Sequence, residues 1–308
     1  MRTFLLTILV LLLVALDLLA GGGGLGMASG VVLLKLRLPR VLTALLAGGA
    51  LSLSGMQMQA IFRNPLSDPH IMGVSAGAGL GASVAVVATA GAGILTHSLA
   101  LPGAAFAGAA VVSALILLLA RRVSAPTSLL IAGVMLGFVF SAVSAILQYT
   151  ANEESLKIYY SWAAGSFEGT RYGEILVMAL ATLAGLLLTL ANGRGLDLIL
   201  FGEDFAALSG ADVRRIRLGA MAATCLMTGT VTAFCGPIGF VGIIAPHIAR
   251  RIQESSVHRK ILPTVLLTGS GIALSADILS RVWPIPIPVG STMALVGIPV
   301  IFLILLKK

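Results

Sequence analysis

An all-α polytopic membrane protein is the fold class this 308-residue chain predicts, and three features predict it. Only 10% of the residues are charged and 58% are hydrophobic, more apolar surface than the polar shell of a soluble domain can cover. Apolar runs close to the roughly 20 residues of a membrane helix recur along the whole length. The basic residues sit at the ends of those runs. The net charge of +8 therefore reads as a set of topology markers and not as a nucleic-acid surface.

Taken in order, the apolar runs give ten spans, at about 3–20, 40–61, 72–90, 101–120, 127–149, 173–191, 218–235, 238–250, 261–280 and 290–306. The first follows a positive start and ends in small residues, so it fits a signal peptide or an uncleaved helix. The helix is preferred because the rest of the chain spans membrane too. With the N-terminus inside, fourteen basic residues fall on inner loops and tails and six on the outer side (Lys35, Arg37, Arg40, Lys157, Arg171, Arg281). That asymmetry fits the positive-inside rule, and an even number of spans leaves both termini cytoplasmic.

Several chemistries are not visible. Cys225 and Cys235 lie ten apart on one helix, about 15 Å, too far for a mutual disulfide. The four histidines have no metal-ligand spacing, and no metal site or catalytic residue is expected. The "GGGG" at 21–24 follows no strand and reads as an outer loop. Glycines at small-xxx-small spacing (Gly73/Gly77/Gly81, Gly133/Gly137) read as close helix packing. No phosphate-binding loop is present, so the chain lacks that route to ATP hydrolysis. Apart from Glu174 at the very start of the sixth span, Asp17 and Asp277 are the acidic residues within spans, both near ends, and Asp277 stands four before Arg281, where a local ion pair explains it. A proton- or ion-coupled carrier would be expected to show more.

One segment breaks the pattern. Between Arg194 and Arg217 lie eight of the 32 charged residues (20 basic and 12 acidic). A short helix near Glu203, broken at Gly210, precedes a second starting at Ala211 or Asp212, with acidic residues leading each piece and arginines trailing the second, as the helix dipole favours. From the residues alone it is either a solvated loop or a docking element.

"GPIGFVGIIAPHIARR" (Gly236 to Arg251) resembles the signature of the FecCD family, permease subunits of ATP-driven importers for iron–siderophores, haem and cobalamin. So do "RLPRVLTALLAGGALSLSGMQMQAIFRNPLSDPHIMGVSAGAGLG" (Arg37 to Gly81), "LLIAGVMLG" (Leu129 to Gly137), "YYSWAAGSFEG" (Tyr159 to Gly169), "FGEDFAALSGADVRRIR" (Phe201 to Arg217) and "PVGSTMALVGIPVIFLILL" (Pro288 to Leu306). The likeness runs in order along essentially the whole chain. It implies a type II ABC importer permease fold of ten helices, one domain over 1–308, working as a homodimer in the plasma (inner) membrane. Two ATP-binding subunits, carrying the ATP and magnesium, would lie below and a substrate-binding protein above, with no cofactor in this chain and no nucleic-acid partner. A relation between the halves is suggested by Gly48 to Gly55 and Gly229 to Gly236, which share a spacing and are each followed by a Pro-His pair, with a gap of four residues needed to align the pairs.

The resemblance also implies site residues. The ATPase-coupling element, about 201–217, would use Gly202, Glu203, Asp204, Phe205, Ala206, Leu208, Gly210, Arg214 and Arg215. Arg37, Arg40 and Arg281 would dock the binding protein from the outer rim. Asn64 and Leu66, with Thr127 and Ser128, would form the cytoplasmic gate. Helix five would line the path with Met135, Phe138, Ser141, Ser144 and Gln148, chosen by their 3–4 spacing. The family often has an acidic residue shortly before the Pro-Val/Ile-Gly of the last helix, where this chain has Pro286 and Ile287. The reading is a permease for a metal chelate, a ferric siderophore or haem first and cobalamin next. The rival is an ion-coupled secondary transporter needing no ATPase.

Overall fold

The structure, a computed structural model, describes residues 2–21, 24–25, 29–89, 94–123, 125–283 and 285–306. Helix α1 (Arg2–Leu19) lies on the outside of the bundle, with only Val10 and Asp17 buried. Ala20–Gly21 then pairs antiparallel with Gly24–Leu25, so the glycine stretch expected as a loop carries two bridges at its ends.

The second helical run starts ten residues before the expected span at 40. Helix α2 (Gly30–Val32) passes through a π-helical stretch (Leu33–Arg37) into α3 (Leu38–Ile61). Pro39 has no N–H to return to the preceding turn, and the chain widens there, Leu38 N bonding Leu33 O. Arg63, at φ 46°, ends the helix. Asp68 then accepts from His70 N at 2.8 Å to cap the 3-10 turn Pro69–Met72. Gly73, at φ 76°, supplies the left-handed residue that redirects the chain into α4 (Val74–Ala88).

The remaining elements are α5 (Ile94–Arg122), α6 (Pro126–Tyr149), α7 (Glu153–Ala163), α8 (Tyr172–Ile199), α9 (Glu203–Leu208), α10 (Val213–Cys235), α11 (Val241–Gln253), α12 (His258–Val282) and α13 (Val289–Leu306). Two boundaries correct the reading from hydropathy. Helix α8 runs on to Ile199, so Arg194 and Asp197 are helical and not in a loop. Helix α10 begins at Val213, so the second short coupling helix is the first turns of a long one. Polar residues end an apolar run without ending a helix, because the helix outlasts the hydrocarbon layer.

Among the described residues six helices are long and apolar enough to cross a membrane. Helix α3 is not one of them, although 19 of its 24 residues are buried. Its Gly, Ser and Gln residues lower its hydropathy, and they are tolerated because other helices, not lipid, surround it. Helices α3 and α10 pack on each other at the centre. Helices α11 and α12 flank α3 as α4 and α5 flank α10, with α12 on α3 matching α5 on α10. The close approaches follow the same scheme. A Cβ on Gly48 would strike the Gly269 backbone, and one on Gly229 would meet Ala109 Cβ at 3.3 Å. Both glycine stripes read from the sequence are contact surfaces: Gly77 and Gly81 press on α5, and Gly73 meets Gly133 and Gly137 of α6.

Candidate functional site

The two ends of the bundle carry the site residues. At the end bearing Arg63, Arg121, Arg214 and Arg251, Gly202, at φ 120°, turns the chain into α9, and Gly210, at φ 81°, turns it out. Asp212 Oδ1 then caps α10 by accepting from Arg215 N at 3.0 Å. Ala206 anchors α9 with no exposure, while Phe201, Phe205 and Leu208 are 77%, 50% and 90% exposed. Three large apolar side chains left in the open, with Asp204 also exposed, make a surface fit to be gripped.

This knob is tied to the interior through Arg217, which the sequence reading did not include among its site residues. Arg217 is 5% exposed, ion-pairs with Glu203 of α9, and donates from Nη1 to Val123 O at 3.2 Å in the turn between α5 and α6. Arg214 Nη2 donates to Arg121 O of the same helix end at 3.0 Å. The Arg63 guanidinium lies beside Gly202, so the turn after α3 adjoins the start of α9. Both turns holding the expected gate residues therefore touch the segment 202–217. Within them Asn64 is exposed, its Oδ1 accepting from Leu66 N at 3.0 Å; Leu66 is half-buried, and Thr127 and Ser128 are exposed in the first turn of α6. Elsewhere at this end His258 bonds Asp197 of α8 through its backbone N at 2.9 Å and Nδ1 at 2.6 Å.

At the opposite end a cavity of about 540 Å³ is lined by Lys35, Arg37, Arg40, Arg171 and Arg281, with Glu168 the one acidic lining residue. The three expected docking arginines thus meet at one cavity, but they do not stand free on a rim. Arg40 makes a two-toothed contact with Asp277 (Nε to Oδ1 2.9 Å, to Oδ2 3.0 Å) and reaches Glu168 at 3.0 Å. Arg281 pairs with Asp277 at 2.9 Å and with Asp17, and its Nη1 donates to Ala20 O at 2.9 Å. Arg37 Nη1 caps the carbonyls of Leu18 and Leu19 at 2.8 and 3.0 Å. The local Asp277–Arg281 pair expected from sequence is one edge of a cluster joining α1, α3, α12 and the turn before α8. Asp17 and Asp277 are wholly buried, and buried carboxylates persist only with such partners.

The expected path residues do not share one face. Met135 and Phe138 are 51% and 65% exposed, Ser141 is exposed, but Ser144 is 4% exposed. Ser144 bonds Ser83 of α4 at 2.5 Å, and Gln148 Nε2 joins them at 3.1 and 2.9 Å. Each step of three residues turns back about 60° on a helix of 3.6 residues per turn, so three steps carry the stripe from the open face to the α4 face.

The structure is a bundle of long apolar helices with an exposed apolar knob at one end and a basic cavity at the other. Family comparison is specific: residues 4–307 match the model of the FecCD transport family, and the chain belongs to that family, as a membrane permease subunit of the type II ABC importer class. The vitamin B12 import permease BtuC of Escherichia coli O157:H7 is 36% identical over 310 residues, covering 98% of this chain and 94% of that one. The uncharacterized permease YvrB of Bacillus subtilis is 34% identical over 282 residues, covering 90% and 79%. A solved ABC transporter described as of metal-chelate type, in an inward-facing conformation, matches with TM-score 0.89 at 29% identity over 99% of both chains. PsaBC of Streptococcus pneumoniae, at 14% identity and TM-score 0.55, shares the fold.

Proposed function

We propose that the chain is the permease of an ATP-driven importer for a bulky metal chelate, working as a homodimer with two ATP-binding subunits on its basic, cytoplasmic end and a substrate-binding protein on the other. The observation that carries this reading is the Glu203–Arg217–Val123 chain of contacts. An exposed apolar knob is joined through one buried arginine to the turn that starts α6, so a push on α9 is transmitted to the gate. The basic cavity around Arg37, Arg40 and Arg281 suits acidic residues of a binding protein. Glu168, its side chain 71% exposed, is the contact such a residue would replace on Arg40.

Cobalamin, named for BtuC, and the metal-chelate description of the solved transporter both favour a large, complexed metal. Met135, Phe138 and Ser141 give α6 an uncharged open face, which suits a ligand handed over by another protein and held weakly in transit. The test is uptake into vesicles containing the chain with its ATP-binding and substrate-binding partners, offered cobalamin, ferric siderophore and haem in turn. ATP-dependent uptake of one of them is the expected result. Uptake driven by an ion gradient without ATP would return the chain to the secondary carriers.

A further inference from the structure

Along the seam between α5 and α10 two depressions share Leu117 and Ala222 and therefore form one groove. The deeper part, about 260 Å³, is walled by Phe106, Ala110, Ala114, Cys225, Leu226 and Gly229. The outer part, about 480 Å³, is lined by Arg121, Arg214 and Arg215, with one carboxylate, Asp212. The groove opens sideways: Ala110 and Ala114 are exposed, and Phe106 and Leu226 are 38% and 37% exposed. Its floor is made of small residues because α5 and α10 approach closely, Ala109 lying against Gly229.

Its dimensions and chemistry match one kind of molecule. From Leu117 to Phe106 is eleven residues, about 16 Å at the helical rise, close to one leaflet of a hydrocarbon core about 30 Å thick. Three arginines stand at its mouth, where α5 and α10 leave their apolar spans. Asp212 is turned to the α10 backbone as its cap, and Arg214 leans over the end of α5 to bond Arg121 O. Basic pockets between helices at this level take anionic headgroups.

We propose that this groove binds one anionic phospholipid, part of one of its two acyl chains in the slot and its phosphate among Arg121, Arg214 and Arg215. The lipid then sits against the first turns of α10, beside the coupling segment. The site does not depend on the importer reading, since it needs only the chain and a bilayer.

The test uses the full chain in bilayer discs of equal parts phosphatidylglycerol and phosphatidylcholine, with the lipids it retains counted by native mass spectrometry. One phosphatidylglycerol per chain should be kept in preference to phosphatidylcholine. Arg121→Gln, at an exposed position, should cut that preference about fivefold, the effect of one cation near a charged lipid. Ala114→Phe should abolish retention of both lipids by filling the slot. Equal retention of the two headgroups, or a preference that neither variant changes, overturns the proposal. So does a lipid-free wild type that becomes monomeric on Ala114→Phe, since the seam would then belong to a second copy.

Discussion

Arg217 is buried and Arg40 half-buried, both with named partners, but they predict different outcomes. Arg217 joins α9 to the α5–α6 turn through Glu203 and Val123 O. Arg217→Gln should leave ATP hydrolysis by the assembled complex within about threefold of the parent while uptake falls at least tenfold, an order-of-magnitude loss set by one charged coupling contact. Parallel measurement of hydrolysis and uptake checks this; equal losses in both would contradict a coupling role. Arg40 holds the buried Asp277. Replacing it by Glu would set a carboxylate against that residue and leave Arg281 to pair Asp277 alone, and removing one partner of a buried pair costs about 3–5 kcal/mol. Arg40→Glu should therefore lower the melting temperature markedly in detergent, whereas Glu168→Gln, on the exposed side of the cluster, should not. The cluster was not legible in the sequence beyond its local Asp277–Arg281 edge. Arg40 and Asp277 are 237 positions apart, and no spacing rule links Asp17 to Arg281.

Helices were legible where lipid surrounds them and less so at their polar ends. Apolar runs located α6 and α13 to within a residue or so, because they are apolar along their whole length and their ends meet Pro, Gly or water. The same measure stopped α8 at 191 and started α10 at 218, because both helices continue in water as polar turns. The stripe on α6 divides between two faces for a geometric reason: residues three apart drift round the helix, and Ser144 lies on α4. Cysteine accessibility separates the faces. With native Cys225 and Cys235 buried, Phe138→Cys and Ser141→Cys should react with a water-soluble thiol reagent, and Ser144→Cys should react at least tenfold more slowly, an order-of-magnitude protection expected of a buried thiol. Equal rates at 138 and 144 would contradict the placement of the open face.

At the scale of the molecule, α3 and α10 meet at the centre, each flanked by a pair of helices, with Gly48 and Gly55 set against α12 and α11 and Gly229 against α5. The shared spacing of Gly48/Gly55 and Gly229/Gly236 suggested a relation between the halves, and α12 packs on α3 as α5 packs on α10. The polar block that stood out in the sequence lies at one end of this arrangement and leaves Phe205 and Leu208 exposed. The central claim is that an ATP-binding subunit grips that knob. It is tested by purifying the chain gently from its host membrane and counting what co-elutes, for the parent and for a Phe205→Asp, Leu208→Asp double variant. The account predicts an equimolar subunit carrying a phosphate-binding loop with the parent. Its affinity should fall about 30-fold or more in the variant, the scale of a lost interface anchor, while the variant itself stays monodisperse. A parent chain that elutes alone and still transports in vesicles without ATP would contradict it.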